Sequence, residues 1–342
     1  MTGKALSTGH SQVPGRDFGR SQVSRRLILN VLAGGVVLWG AAALGVAGAA
    51  DAGAAPAVLA QARPAGQWGK GIGVPGLGAL SKAGNAQVSS VSCEPEGNCT
   101  AAGYYEDRHR HHQGFVASEQ KGTWGKATGI PGLGALNAGG QAGATTVSCA
   151  AAGSCEAGGS YKDSHAHSQG FVVGEQNGTW SKAIEVPGLA SLDSGGAMVL
   201  SMSCTSASDC AAGGSYKDHH GHGQGFIVSE QNGTWGTAFK VPGLAALNAG
   251  GSARVLSVSC STAGNCAAGG SYQDSQQDQQ GFVVSEQNGA WGTAIEVPGL
   301  AALNAGVAQV LSVSCDLAGN CVGGGYYQDF QRKTQGLVVS QS

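Results

Sequence analysis

The sequence predicts an all-β fold, a five-bladed β-propeller whose last blade is closed by N- and C-terminal strands. Three observations predict it. Cys pairs recur at Cys93/Cys99, Cys149/Cys155, Cys204/Cys210, Cys260/Cys266 and Cys315/Cys321, with first members 56, 55, 56 and 55 residues apart. A fixed period of this length marks a repeat architecture. Trp68, Trp124, Trp180, Trp235 and Trp291 keep the same step, as do Pro75, Pro131, Pro187, Pro242 and Pro298. Finally, each repeat carries four short strand patterns, and four antiparallel strands repeated five times describe propeller blades.

In chain order, residues 1–62 read as an export signal and linker. Arg25-Arg26 precedes a run from Leu27 to Ala50 without a charge, and the small-residue triplets Ala47-Gly48-Ala49 and Ala60-Gln61-Ala62 suit a signal peptidase. The Arg pair is twin-arginine-like. The alternative is an uncleaved anchor, since the apolar run is long enough to span a bilayer; only then is a membrane a partner. In both readings the bulk of the chain is extracellular or in the cell envelope.

Residues 66–342 read as the repeat domain. In the fourth repeat, Val255 to Cys260 (VLSVSC) alternates apolar with small polar residues and makes a first strand. A short turn leads to a second, Cys266 to Asp274 (CAAGGSYQD), whose Gly pair suits close approach by a neighbour. Gly281 to Glu286 (GFVVSE) is a near-continuous apolar run, as burial on both faces requires. Asn288-Gly289 supplies a type I′ hairpin, and Trp291 to Val297 makes the fourth strand, ending at Pro298. Length changes fall between Pro-Gly-Leu and the next Cys, which marks that segment as a loop.

The termini complete the pattern. An orphan fourth strand, Trp68 to Val74, opens the domain and an orphan third strand, Gly336 to Ser340, closes it. Pairing them removes two sheet edges. The competing arrangement is a β-solenoid or a linear array of small disulfide modules.

The repeat VSC…GNC.AGGxYxD…QGFVVSEQNGTW…VPGL resembles the SVSC-type repeats of secreted actinobacterial proteins, which implies propeller blades; the likeness covers residues 66–342. The five-fold count is similar to that of five-bladed tachylectin-type lectins, in architecture alone. Neither resemblance carries over a functional residue.

The ten cysteines are expected to form five disulfides within repeats, each across a hairpin of an exported chain. Zinc is the competing reading, and no second Cys or His pair sits at matching spacing. The repeated Trp reads as packing, because Trp180 shares its strand face with Ile184 and Val186; a ring of sugar-stacking platforms is the sharper alternative. Asp107, Asp163, Asp218, Asp274 and Asp329 end the second strand, and Gln113, Gln169, Gln224, Gln280 and Gln335 open the third. These are the candidate ligand-binding residues, with turn stabilisation as the plainer role.

The five residues between them read RHRHH, SHAHS, HHGHG, SQQDQ and FQRKT, constant in length and different in content. His165/His167 and His220/His222, with His109/His111, place two imidazoles on one side, a candidate metal site for zinc, copper or nickel, against the plainer reading of a solvated tip. Topology puts these tips and the Pro-Gly-Leu loops on one face, and the disulfide turns with the Asn-Gly hairpins on the other.

Composition narrows the function. The 342 residues include 60 Gly and carry a net charge of -2, and Lys4, Arg16, Arg20, Arg25 and Arg26 all lie in the export segment. No basic field remains for nucleic acid. No cofactor signature is present. An enzyme is not expected, because no constellation stands outside the repeat and the innermost strands lack the carboxylate pair of a glycosidase. The reading is a binding module for glycan or cell-wall polymer, multivalent and monomeric, with a structural role in the envelope matrix as the alternative.

Overall fold

The computed structural model describes residues 68–341; the export signal expected over 1–62 lies outside them. Sheet 1 is built from Ala86–Cys93, Cys99–Glu106 and His112–Gln120. The same three strands recur as Ala142–Ala151, Ser154–Lys162 and Ser168–Gln176 in sheet 2, and as Met198–Ser206, Asp209–Lys217 and Gly223–Gln231 in sheet 3. Sheet 4 holds Arg254–Thr262, Asn265–Gln273 and Gln279–Gln287, and sheet 5 holds Ala308–Cys315, Cys321–Gln328 and Thr334–Ser340. Every neighbouring pair is antiparallel, so the chain is all-β, a series of repeated antiparallel sheets.

The fourth strand departs from expectation. Instead of one run over Trp291–Val297, sheet 4 has two fragments, Ala290–Trp291 and Ile295–Glu296, both on its third strand. Between them the Ala294 N–H turns away and donates to the Pro242 carbonyl of the preceding repeat at 2.7 Å. Ala127, Ala183 and Ala238 donate likewise to Pro75, Pro131 and Pro187. A backbone bond to the neighbouring repeat interrupts the strand.

Each first strand carries a bulge, in sheet 4 between Val255 and Ser257. Opposite it, a Cβ on Gly270 would overlap the Arg254 carbonyl oxygen, and Gly103, Gly159, Gly214 and Gly325 stand in the same relation to their own bulges. That close approach is why the second strand needs glycine there.

The seams between sheets follow one rule. Val255 and Val258, 0% and 5% exposed, lie against the preceding sheet where a Cβ on Gly213 would strike them. The Ser201 and Ser203 hydroxyls accept the Val258 and Cys260 N–H groups at 3.0 Å, and Ser257 and Ser259 serve Val313 and Cys315 at 2.9 and 3.0 Å. The first strand is an edge of its sheet, and these hydroxyls satisfy backbone donors that its own sheet leaves free. The Ser-x-Ser-Cys signature is therefore the seam itself.

No strand pairing joins the two ends of the series. Residues 69–74 hold no strand, and the third strand of sheet 5 pairs with the second alone, so the pairing expected between Trp68–Val74 and Leu337–Val339 is absent. Gly69, Gly71 and Gly73 alternate through that segment, giving it little side chain with which to cover a sheet. Val88 and Val91, the counterparts of Val255 and Val258, are 38% and 55% exposed, and a Cβ on Gly324, the counterpart of Gly269, would meet open space.

The two rims are distinct. On one, the disulfide turn touches the hairpin in the second, third and fourth repeats: Gly178 donates to the Gly153 carbonyl, Gly233 to Ser208 and Gly289 to Gly264, at 3.0, 2.9 and 2.8 Å. On the other, the tips meet the loops that follow Pro-Gly-Leu, as where His112 donates to the Gly140 carbonyl at 3.0 Å. All five Cys pairs are bonded within their repeats.

Candidate functional site

Each hairpin tip is built on its Asp. In the third repeat Asp218 Oδ1 accepts the His220 and His222 N–H groups at 2.9 Å each, and Oδ2 accepts the Gln224 amide at 3.0 Å. Gln224 Oε1 in turn accepts from Asn248 of the next loop at 3.1 Å. Asp274, Gln280 and Asn304 repeat the relay. Asp107 with Gln113 does so at longer range, and Asp329 is held by Gln335 at 2.9 Å. In the second repeat Asp163 holds the His165 and His167 N–H groups, but Asp193 replaces the Asn, and Gln169 Oε1 is buried without a partner.

Partial burial alone would raise the Asp107, Asp163 and Asp218 carboxyls. The hydrogen bonds they accept outweigh it and hold all three below the ordinary range. The structure thus joins Asp and Gln side chains inside the hairpin in four repeats, Asp107 with Gln113, Asp218 with Gln224, Asp274 with Gln280 and Asp329 with Gln335. What the tip offers outward is its central residues: 108–111, 164–167, 219–222 and 275–278 are exposed.

The His-x-His pairs sit on a turn rather than an extended arm, with φ of 62° at Ala166 and 84° at Gly221. Their ring centroids are 5.9 Å apart for His165/His167 and 6.2 Å for His220/His222. Among the described residues no group of three or more His, Cys, Asp or Glu side chains is placed to hold a metal. Trp124, Trp180, Trp235 and Trp291 are half-buried and pack on the apolar clusters of the sheets.

A second cluster lies between sheets, and the sequence reading passed over it. The Glu before each Asn-Gly hairpin points into the seam with the preceding sheet: Glu175, Glu230 and Glu286 are 3%, 5% and 4% exposed. Between sheets 1 and 2, Thr100 donates to Ser118 and Ser118 to Glu175, at 3.2 and 3.3 Å. Between sheets 3 and 4, Ala211 and Ser229 occupy the corresponding places. Between sheets 2 and 3 both residues change, to Glu156 and Gly174, which are cross-strand partners.

The two changes answer each other. A Cβ on Gly174 would overlap Glu156 Oε1, so glycine makes the room that the second carboxylate occupies. Glu156 is 6% exposed, and its Oε2 and the Oε2 of Glu230 are buried without a hydrogen-bond partner. Both line a cavity of about 560 Å³ together with Trp180, Lys182 and Trp235. Burial, then the charge of Glu230, pushes the Glu156 carboxyl up to about 8, against an opposing indole N–H from Trp235. Burial, then Asp209, pushes Glu230 up to about 7.

The signal was present as CEAGG against CAAGG, and VVGEQ against VVSEQ. Each is one substitution in a repeat, and only their cross-strand register joins them.

No known protein family and no curated protein matches the chain. Solved structures are similar over part of it. A protein of unknown function from Dyadobacter fermentans is 10% identical, with a TM-score of 0.45 over 75% of this chain and 76% of that one. A Hadza microbial sialidase is 8% identical, with a TM-score of 0.46 over 74% of this chain and 56% of its own. An α-L-arabinanase of Penicillium chrysogenum, complexed with arabinobiose, is 9% identical, with a TM-score of 0.43 over 73% and 80%. At these values the likeness says nothing of this chain's ligand.

One expectation is corrected here. The chain was expected to be no enzyme, and the solved structures it is similar to include a sialidase and an arabinanase. The first strands carry no carboxylate, as expected, but Glu156 beside Glu230, on a second and a third strand, is a carboxylate pair outside the repeat pattern.

Proposed function

We propose that the chain is an exported, disulfide-stapled β-propeller that binds glycan or cell-envelope polymer through its five hairpin tips. The observation that carries this reading is the tip itself. An Asp and Gln frame recurs in every repeat while the exposed residues between them differ. Recognition in loops on a rigid scaffold takes that form. Asp107, Asp163, Asp218, Asp274 and Asp329, with their Gln partners, act as the frame, and residues 108–112, 164–168, 219–223, 275–279 and 330–334 make the contacts. Export accords with five disulfides, which persist in oxidising compartments.

Closure into a ring belongs to the same proposal. Its support is that the two exposed ends are mates: Val88 and Val91 have the spacing that fills each interior seam, and Gly324 is the seat they would fill. Ser312 and Ser314 would then accept the Val91 and Cys93 N–H groups. A closed ring presents all its tips on one face, where weak sites on a repetitive target gain about 10²-fold or more by avidity.

The test is binding of the purified chain to a glycan array and to isolated cell walls. Replacing three tips with Gly-Ser should abolish binding and leave the melting temperature within a few degrees. Replacing Asn177-Gly178 and Asn232-Gly233 on the opposite rim with other turn-forming pairs should leave binding intact. Binding that survives the tip exchange refutes the reading, and no binding by the unaltered chain favours the structural role in the envelope matrix.

A further inference from the structure

We propose that the cleft between sheets 2 and 3 is a second, separate binding site, for an alkylammonium group held by Glu156 and Glu230 and flanked by Trp180 and Trp235. The proposal starts from a departure that repetition does not explain. Four copies of the second strand carry Thr100, Ala211, Ala267 or Val322 at this place, and one carries Glu156. The same repeat also carries Gly174 where the others have Ser118, Ser229, Ser285 and Ser340. Glycine weakens a strand interior, and a buried carboxylate without a donor weakens a seam. Two unfavourable changes that fit one another sterically mark a site rather than drift in a repeat.

The unmade bonds define the ligand. Glu156 and Glu230 both line the cavity, and each keeps one buried oxygen, Oε2, without a hydrogen-bond partner, although the Trp235 indole N–H serves the Glu156 carboxyl. The charged groups facing the pair are Asp209, which acts on Glu230, and Lys182 on the cavity wall. The field there is negative, and what it lacks is a compact cation with N–H donors. A bare metal ion does not suit it, because only two carboxylates converge and the remaining wall includes Val172, Val173 and two indoles. An alkylammonium does: its N–H groups meet both carboxylates, its chain lies along the apolar wall, and indole faces attract cations. Amino sugars and the side chains of diamino acids present that group.

The pair also accounts for why the site is costly when empty. Burial holds both carboxyls above the ordinary range, and an arriving cation exchanges for the protons they retain. Binding should therefore strengthen as pH rises from 6 to 8.5, where the carboxylates ionise and an alkylamine is still protonated.

The experiment uses the disulfide-intact chain with 1,5-diaminopentane as probe and pentane-1,5-diol as its uncharged match, followed by calorimetry and tryptophan fluorescence at pH 6 and 8.5. The expected result is saturable binding of the diamine alone, at least 10-fold tighter at pH 8.5. Glu156→Ala, which installs the residue of the third and fourth repeats, should raise the melting temperature and weaken the diamine at least 10-fold. Glu230→Gln should weaken it similarly. Tip binding to envelope polymer should be unchanged in both variants, so this site fails or stands independently of the tips. Equal binding of diol and diamine, binding that falls with pH, binding untouched by Glu156→Ala, or no binding by the unaltered chain at pH 8.5 overturns the proposal.

Discussion

The seam between sheets 2 and 3 and the seam between sheets 3 and 4 have the same backbone and opposite chemistry. Both receive a valine or methionine pair from the following first strand, and both hold one Glu from the following third strand, Glu230 or Glu286. In the second seam the facing residues are Ala211 and Ser229, neither of them charged, and Glu286 lines a cleft there with Asp209 and Glu230. In the first, Glu156 adds another carboxylate and Gly174 gives it space. The difference teaches that the repeat supplies the geometry of a cleft in every seam, and that two residues decide whether it is a joint or a site.

The comparison breaks most sharply at Gly174. Gly174→Ser, a change to what four other repeats hold, puts side-chain atoms where the end of the flexible Glu156 side chain lies, so the carboxylate must turn aside, and should destabilise by about 1 kcal/mol in denaturant unfolding. Adding Glu156→Ala to it should restore or exceed the original stability. A neutral effect of Gly174→Ser alone would mean that the two residues do not share the space.

The next effect is electrostatic. Glu156 and Glu230 have carboxyls raised in the folded state to about 8 and about 7, from 4.5. At these two groups the folded chain binds more protons than the unfolded one between those values, so their contribution to stability is full below pH 4.5 and declines as pH rises to about 8. Glu156→Ala should therefore stabilise by roughly 2 kcal/mol at pH 8 and by little at pH 5. Glu286 shares the direction without a second carboxylate beside it, and Glu286→Gln should change the pH profile less.

The smallest effect separates interior seams from the ends of the array. Ser201→Ala removes an acceptor from the Val258 N–H and should cost about 1 kcal/mol. Ser312→Ala should cost nothing if the ends stay apart, and about the same 1 kcal/mol if the ring closes.

The repeat, the strands, the disulfides and the two rims were legible in the sequence because each is a local pattern multiplied five times. Cys260 and Cys266 oppose each other in register, and Asn288-Gly289 turns back beside Gly264, as a hairpin requires. The break in the fourth strand was not legible, because its cause is the Pro242 carbonyl of another repeat. Neither was the purpose of Ser201 and Ser203, which read as the polar half of an alternating strand until their partners in the next sheet were seen. The Asp and Gln frame was recognised as a recurrence, and its closed set of hydrogen bonds came from Asn248 and Asn304, residues in a loop of variable length. Glu156 was hidden for the opposite reason: self-comparison rewards what recurs, and the residue that matters here is the one that does not.

The central claim is that Glu156 and Glu230 form one coupled, desolvated pair, and carboxyl-carbon NMR of the glutamates across a pH titration tests it most directly. The account predicts that the pair titrates in two steps near pH 7 and 8, and that Glu230→Gln removes one step and lowers the other. Both carboxyls titrating near 4.5, or a Glu156 midpoint unmoved by Glu230→Gln, would contradict it.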